Sequence, residues 1–142
     1  MNTEQLSQKV FGRPWFHRID LGGGIITPGV DNSPSKLQYM HLPEDLTGKS
    51  VLDIGAYDGF FSFEAERRGA RRVVATDQYC WKSTGMGDGE GFKIAHDALG
   101  SRVEAKVIPV ERYRRRPWEC LMWFCSWECS TTRRTRFATF AL

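Results

Sequence analysis

The apolar positions change period along the chain, and those changes predict its elements. Ser50-Val51-Leu52-Asp53-Ile54 is a short apolar run of strand character, and Gly55-Ala56-Tyr57-Asp58-Gly59 after it reads as a tight turn. Phe60 to Arg68 is rich in helix formers, and Gly69 suits the left-handed position just past a helix end. A second strand is expected over Arg72-Val73-Val74-Ala75-Thr76, ending on Asp77. Beyond the Gly-rich loop Gly85-Met86-Gly87-Asp88-Gly89, a helix is expected over Phe92 to Leu99. A third strand then follows over Val103 to Val110, interrupted by Pro109. Strands alternating with helices predict an α/β fold built on a doubly wound, mainly parallel sheet.

Upstream of this unit the pattern is punctuated. Val10 to Leu21 carries aromatics and leads into Gly22-Gly23-Gly24 and Thr27-Pro28-Gly29, which predicts a lid-like or hairpin segment with a short Ile25-Ile26 apolar centre. A modest helix is expected from Pro34 to Leu46, and Leu46-Thr47-Gly48-Lys49 turns the chain into the first strand. The 142 residues, 41% hydrophobic and 13% aromatic, suffice for one domain that buries roughly two thirds of its unfolded surface. With 20 Lys+Arg against 17 Asp+Glu, a wholly disordered acidic or basic chain is excluded. No apolar run reaches the ~18 residues of a membrane span, and MNTEQLSQKV lacks the apolar stretch of a signal peptide. A soluble, cytoplasmic protein without a membrane partner is the expectation, with its four cysteines reduced.

The charge is unevenly placed. Residues 1–110 hold 13 Lys+Arg and 14 Asp+Glu, whereas residues 111–142 hold 7 Arg, no Lys and 3 Glu. Cys120, Cys125 and Cys129 lie in that tail with Trp118, Trp123 and Trp127. Composition and pattern divide the chain into an N-terminal lid or extension (1–47), an α/β unit (48–111) and an aberrant basic tail (112–142).

In a doubly wound sheet, ligands bind at the carboxyl ends of the strands. Glycines are needed where the first strand meets its helix, because a backbone without Cβ lets a bulky ligand approach and the helix start offers unpaired N–H groups. Asp53-Ile54-Gly55-Ala56-Tyr57-Asp58-Gly59 meets that need. Asp77, 18 residues after Gly59, is placed for a carboxylate that takes both hydroxyls of a ribose. Charge-assisted hydrogen bonds of this kind contribute roughly 1.5–3 kcal/mol each. A nicotinamide-binding G-x-G-x-x-G fails here, since counting from Gly55 it meets Tyr57 and Phe60 at its second and third glycines.

Val51-Leu52-Asp53-Ile54-Gly55-Ala56-Tyr57-Asp58-Gly59 resembles the first motif of class I S-adenosylmethionine-dependent methyltransferases, and Asp77 matches their ribose-binding acid. Trp15-Phe16-His17-Arg18-Ile19-Asp20-Leu21-Gly22, Thr27-Pro28-Gly29, Leu46-Thr47-Gly48-Lys49 and Asp77-Gln78-Tyr79-Cys80-Trp81 narrow the resemblance to the tRNA wobble-uridine (mo5U) methyltransferase-like family, over roughly residues 10 to 110. The resemblance implies the N-terminal half of a Rossmann-like methyltransferase fold and S-adenosylmethionine as cofactor. The implied acceptor is tRNA or a small molecule. By the same likeness, Asp53, Gly55, Ala56, Tyr57 and Gly59 line the methionine and adenosine part of the cofactor, and Asp77 and Gln78 hold its ribose and adenine side. Tyr57 departs from the class, which prefers a third small residue there. No residue is identified as a catalytic base.

The remaining residues have plainer readings. His17, His41 and His96 are scattered, with His17 of most interest because it lies in the aromatic lid; Trp15 and Phe16 are expected in the core, and Lys36 in solvent. Glycines 85, 87, 89 and 91 would bind phosphate only if a helix began directly after them, and are read instead as a cover over the cofactor. The x4 and x3 spacing of Cys120, Cys125 and Cys129, with no histidine nearby, does not fit a zinc site, so no metal is expected.

Arg112 to Arg116 with Tyr113 and Trp118, then Arg133, Arg134 and Arg136, would pass as an RNA-contacting arm. A basic-tailed RNA-binding or orphan non-enzymatic α/β protein is therefore the alternative. A different account is that the tail is read out of frame. Shifting the back-translated codons of residues 122–132 by two nucleotides is compatible with Val-Val-Leu-Phe-Leu-Gly-Val-Leu-Tyr-His, in which Val-Val and Gly are fixed and several other positions are left free by codon degeneracy. That string resembles the fourth-strand motif of the same family. In the frame as given, the tail is expected to supply no cleanly patterned fourth strand, leaving the first strand with an open edge and cofactor binding weak or absent.

Overall fold

The computed structural model describes residues 2–82 and 87–109 and the backbone of 121–125. The chain order is α1 (Thr3–Phe11), α2 (Ser33–Met40), β1 (Ser50–Ile54), α3 (Phe60–Arg67), β2 (Arg72–Thr76), α4 (Glu90–Leu99), β3 (Glu104–Lys106) and β4 (Leu121–Cys125). The four strands form one parallel sheet in the order β3-β2-β1-β4. The chain's path across the sheet reverses at β1, because β2 and β3 lie on one side of it and β4 on the other. This is the topology that opens a crevice at the strand ends of doubly wound sheets.

The sheet corrects one expectation directly. β1 has no open edge, since Ser50 to Ile54 pair in register with Leu121 to Cys125. A strand buried on both faces of a parallel sheet reads as a continuous apolar run rather than an alternation. Leu-Met-Trp-Phe-Cys is a continuous apolar run without alternation.

The predicted β1, α3 and β2 are present. α4 starts two residues before its expected position, and β3 is confined to Glu104–Lys106, with its partners at Val74 to Thr76. α2 ends at Met40 rather than Leu46: His41 takes a left-handed conformation (φ 50°), and Leu42 precedes Pro43, which disfavours continuing the helix.

α1 carries no strong apolar pattern and was not expected. Its start is fixed by a capping box in which the Asn2 side chain accepts from the Gln5 amide (2.8 Å) and the Asn2 amide donates to the Gln5 side chain (3.2 Å). The hairpin is observed, with Leu21 N–H donating to Ile25 and Thr27 N–H to Ile19. Ile25 is buried, whereas Ile26 is exposed.

The larger core joins Val10, Trp15, Ile19 and Leu46 to Val51, Phe60, Phe63, Val73, Phe92 and Val103. Fully burying side chains of this size contributes about 1.5–3 kcal/mol each. On the sheet, Leu52, Ile54 and Val74 make a second cluster with Ile108. Arg68 fastens α3 to the preceding loop by donating to Glu64 (2.6 Å) and to the carbonyls of Leu42 (2.5 Å) and Pro43 (3.0 Å). Among the described residues no helix is long and apolar enough to cross a membrane.

Candidate functional site

The carboxyl ends of β1 and β2 carry the residues singled out in the sequence. The turn leaves β1 with Gly55 and Ala56 both donating N–H to the Thr76 carbonyl (2.7 and 3.1 Å), and closes with Gly59 N–H on the Ala56 carbonyl (2.7 Å). Gly59 stands at φ 90° immediately before α3, where a Cβ would lie 2.7 Å from the rings of Phe63 and Phe92. Only glycine meets both the left-handed backbone and that close approach.

Tyr57 occupies a left-handed conformation (φ 50°) without being glycine. Its N–H donates to Asp77 Oδ2 (3.0 Å), its carbonyl accepts from Trp81 Nε1–H (2.7 Å), and its ring stacks on Phe16 at 5.2 Å. Those contacts offset a strain of about 1–3 kcal/mol.

Asp77 is buried at the end of β2 and accepts N–H from Tyr57 on one oxygen and from Cys80 (2.8 Å) on the other. A carboxylate has about four lone-pair sites, so two acceptor positions remain for hydroxyl donors. Gln78 follows it, half-buried.

Asp53 lies beneath the turn. Its Oδ2 accepts from the Ser62 hydroxyl (2.7 Å), while its buried Oδ1 has no protein partner. Burial pushes its carboxyl up to about 7; the Ser62 hydrogen bond opposes that shift and the nearby Asp77 adds to it. The structure therefore brings Asp53, Gly55, Ala56, Tyr57, Gly59, Asp77 and Gln78 to one end of the sheet, with Asp53 as the inner member.

The sequence reading missed Asp58. Its Oδ2 accepts the N–H groups of Phe16 (2.8 Å) and His17 (3.1 Å), so this turn carboxyl holds the N-terminal segment. Burial raises it to about 6 against those two hydrogen bonds and the pull of Arg13.

His17 is buried. It lies among Phe16, Tyr57, Phe60 and Phe61, and burial lowers its imidazole to about 4. Lys36 is ion-paired with Asp31 rather than free in solvent. A helix does begin directly after Gly89, contrary to expectation, with Gly91 inside its first turn; Gly85 lies outside the described residues. A cavity of about 310 Å³ lies between Pro14, Tyr57, Asp58, Cys80 and Gly89, at the small end of ligand pockets.

Among the described residues no group of three His, Cys, Asp or Glu side chains is placed to hold a metal. The arginine arm and the side chains of Cys120, Cys125 and Cys129 lie outside the described residues.

No protein-family model matches the chain, and no curated protein matches it. Among solved structures, the chain is similar to the "putative RNA methyltransferase PH1948" of Pyrococcus horikoshii, with 21% identity and a TM-score of 0.43. The match covers 81% of this chain and 56% of that one, so the chain spans little more than half of that protein's length.

Proposed function

We infer that the chain is the N-terminal, cofactor-binding part of a Rossmann-like class I methyltransferase that uses S-adenosylmethionine. The observation that carries this reading is the convergence of the Gly55–Gly59 turn and the Asp77 carboxylate at the strand ends, beside the point where the sheet order reverses. The residues fit the group. Asp77 has more lone-pair sites than its two amide donors use, the Gly55–Gly59 turn brings small residues to the end of β1 beside it, and Asp53 Oδ1 is a buried acceptor lacking a protein donor. Gln78 adds an amide on the adenine side.

When bound, the cofactor supplies a methyl group made electrophilic by its sulfonium. The protein's share would be positioning: Asp77 would hold the ribose, the turn would set the depth of approach, and the packed rings of Phe16, His17 and Tyr57 would form an apolar wall beside it. The acceptor follows from the family resemblance, which favours the wobble uridine of tRNA; a small molecule is the alternative. A cytoplasmic location belongs to the same reading.

The tail, residues 112–142, is read out of frame in this proposal. The composition break supports it, as does the fact that the codons of β4 overlap those that read Val-Val-Leu-Phe-Leu in the shifted frame. Sequencing the gene tests this: an open downstream frame continuing the domain is expected, and its absence contradicts the proposal. Titration with S-adenosylhomocysteine tests the cofactor reading. Binding that Asp77→Ala weakens at least about tenfold is expected from the loss of charge-assisted bonds, whereas equal binding by both chains would refute it.

A further inference from the structure

Asp58 joins three segments that are distant in sequence. One oxygen accepts the amides of Phe16 and His17, 42 and 41 residues away. The other lies against the first turn of α4, where a Cβ on Gly91 would stand only 2.4 Å from it. The side chain is buried, and the two amide donors offset the cost of placing a carboxyl there. Holding the Phe16 backbone sets its ring on Tyr57, and the Tyr57 amide in turn holds Asp77. The N-terminal segment, the turn and the ribose-facing acid are therefore connected in series.

Resting on the cofactor reading for what the site binds, we propose that Asp58 is a positioning residue. It seats residues 13–17 over the glycine turn, and so fixes Tyr57 and the Asp77 carboxylate in the arrangement that receives the nucleoside part of the cofactor. A purely structural role would loosen the whole domain evenly when the carboxyl is removed. A positioning role loosens one path.

The test is residue-resolved amide exchange on the 142-residue chain and its Asp58→Ala and Asp58→Asn variants, without ligand and with S-adenosylhomocysteine. In Asp58→Ala, the amides of Phe16, His17, Tyr57 and Cys80 exchange roughly tenfold faster or more, the scale expected for losing bonds to a charged group. Those of β1 and β2 stay as in the parent. Asp58→Asn, which keeps an acceptor, recovers part of the protection at Phe16 and His17, and affinity for S-adenosylhomocysteine falls in the same order as the protection.

Fast exchange at Phe16 and His17 with Tyr57 and Cys80 unchanged overturns the proposal, as does acceleration that includes β1 and β2 equally. If the parent chain binds no S-adenosylhomocysteine, the cofactor reading fails while the ligand-free exchange still decides the coupling.

Discussion

The Tyr57 amide donates to Asp77 Oδ2 at 3.0 Å, so the left-handed residue of the turn after β1 and the acid ending β2 form one unit. This bond explains how a non-glycine residue persists at φ 50°. It is held from its amide, from its carbonyl by Trp81, and from its ring by Phe16.

Two opposing effects at Tyr57 predict an order of variants. Tyr57→Ala keeps the unfavourable backbone and loses the ring stack, and is expected to destabilise by about 1–2 kcal/mol. Tyr57→Gly loses the same stack but relieves the strain, so it is expected to be more stable than Tyr57→Ala by about 1 kcal/mol. Urea denaturation of the two variants checks the order; Ala more stable than Gly would contradict it.

Gly91→Ala separates helix propensity from packing. Within a helix the change ordinarily stabilises by about 0.5–1 kcal/mol. Here the added methyl would stand 2.4 Å from Asp58 Oδ1, so a net loss of stability is expected. In a double-mutant cycle with Asp58→Ala the loss at Gly91 should largely vanish. Additive effects would show that the two residues do not meet.

Buried groups of opposite sign predict a pH dependence. His17, held at about 4, stays neutral in the fold while the unfolded imidazole gains a proton below 6.5, so its contribution is lost as pH falls from about 6.5 towards 4. Asp53 and Asp58, raised to about 7 and about 6, act the other way. Their contribution is complete below 3.8 and is lost as pH rises through the window up to those values. Relative to the parent, Asp53→Asn should therefore gain stability between pH 4 and pH 8, on the order of 2–4 kcal/mol. Chemical denaturation across that range reads it, and a difference that does not vary with pH would contradict it.

What could be read along the chain was whatever is local. β1, α3 and β2 announce themselves because an apolar run meets a glycine turn, then a helix closed by Gly69, then a second run ending on Asp77. That the acid and the turn meet at one end of the sheet was legible from that order. Asp58 was not, because its partners Phe16 and His17 are brought to it by the tertiary fold and no spacing records the contact. β4 is an unbroken apolar run, Leu121 to Cys125, with none of the alternation that marks a half-buried strand, and the signal of α1 is the Asn2–Gln5 cap rather than an apolar stripe. His17 escaped for a related reason: burial among aromatic rings, not a partner in sequence, sets its state.

The most direct measurement is calorimetric titration of S-adenosylhomocysteine into the chain, its Asp77→Ala variant and a chain with the downstream reading frame restored. Because β4 closes the edge of β1, whose opening was the reason to expect weak or absent binding, saturable binding is expected in the parent, weakened at least about tenfold by Asp77→Ala and strengthened when the frame is restored. No binding in the restored chain, or binding indifferent to Asp77, would contradict the assignment of this turn and acid to a nucleoside-bearing cofactor.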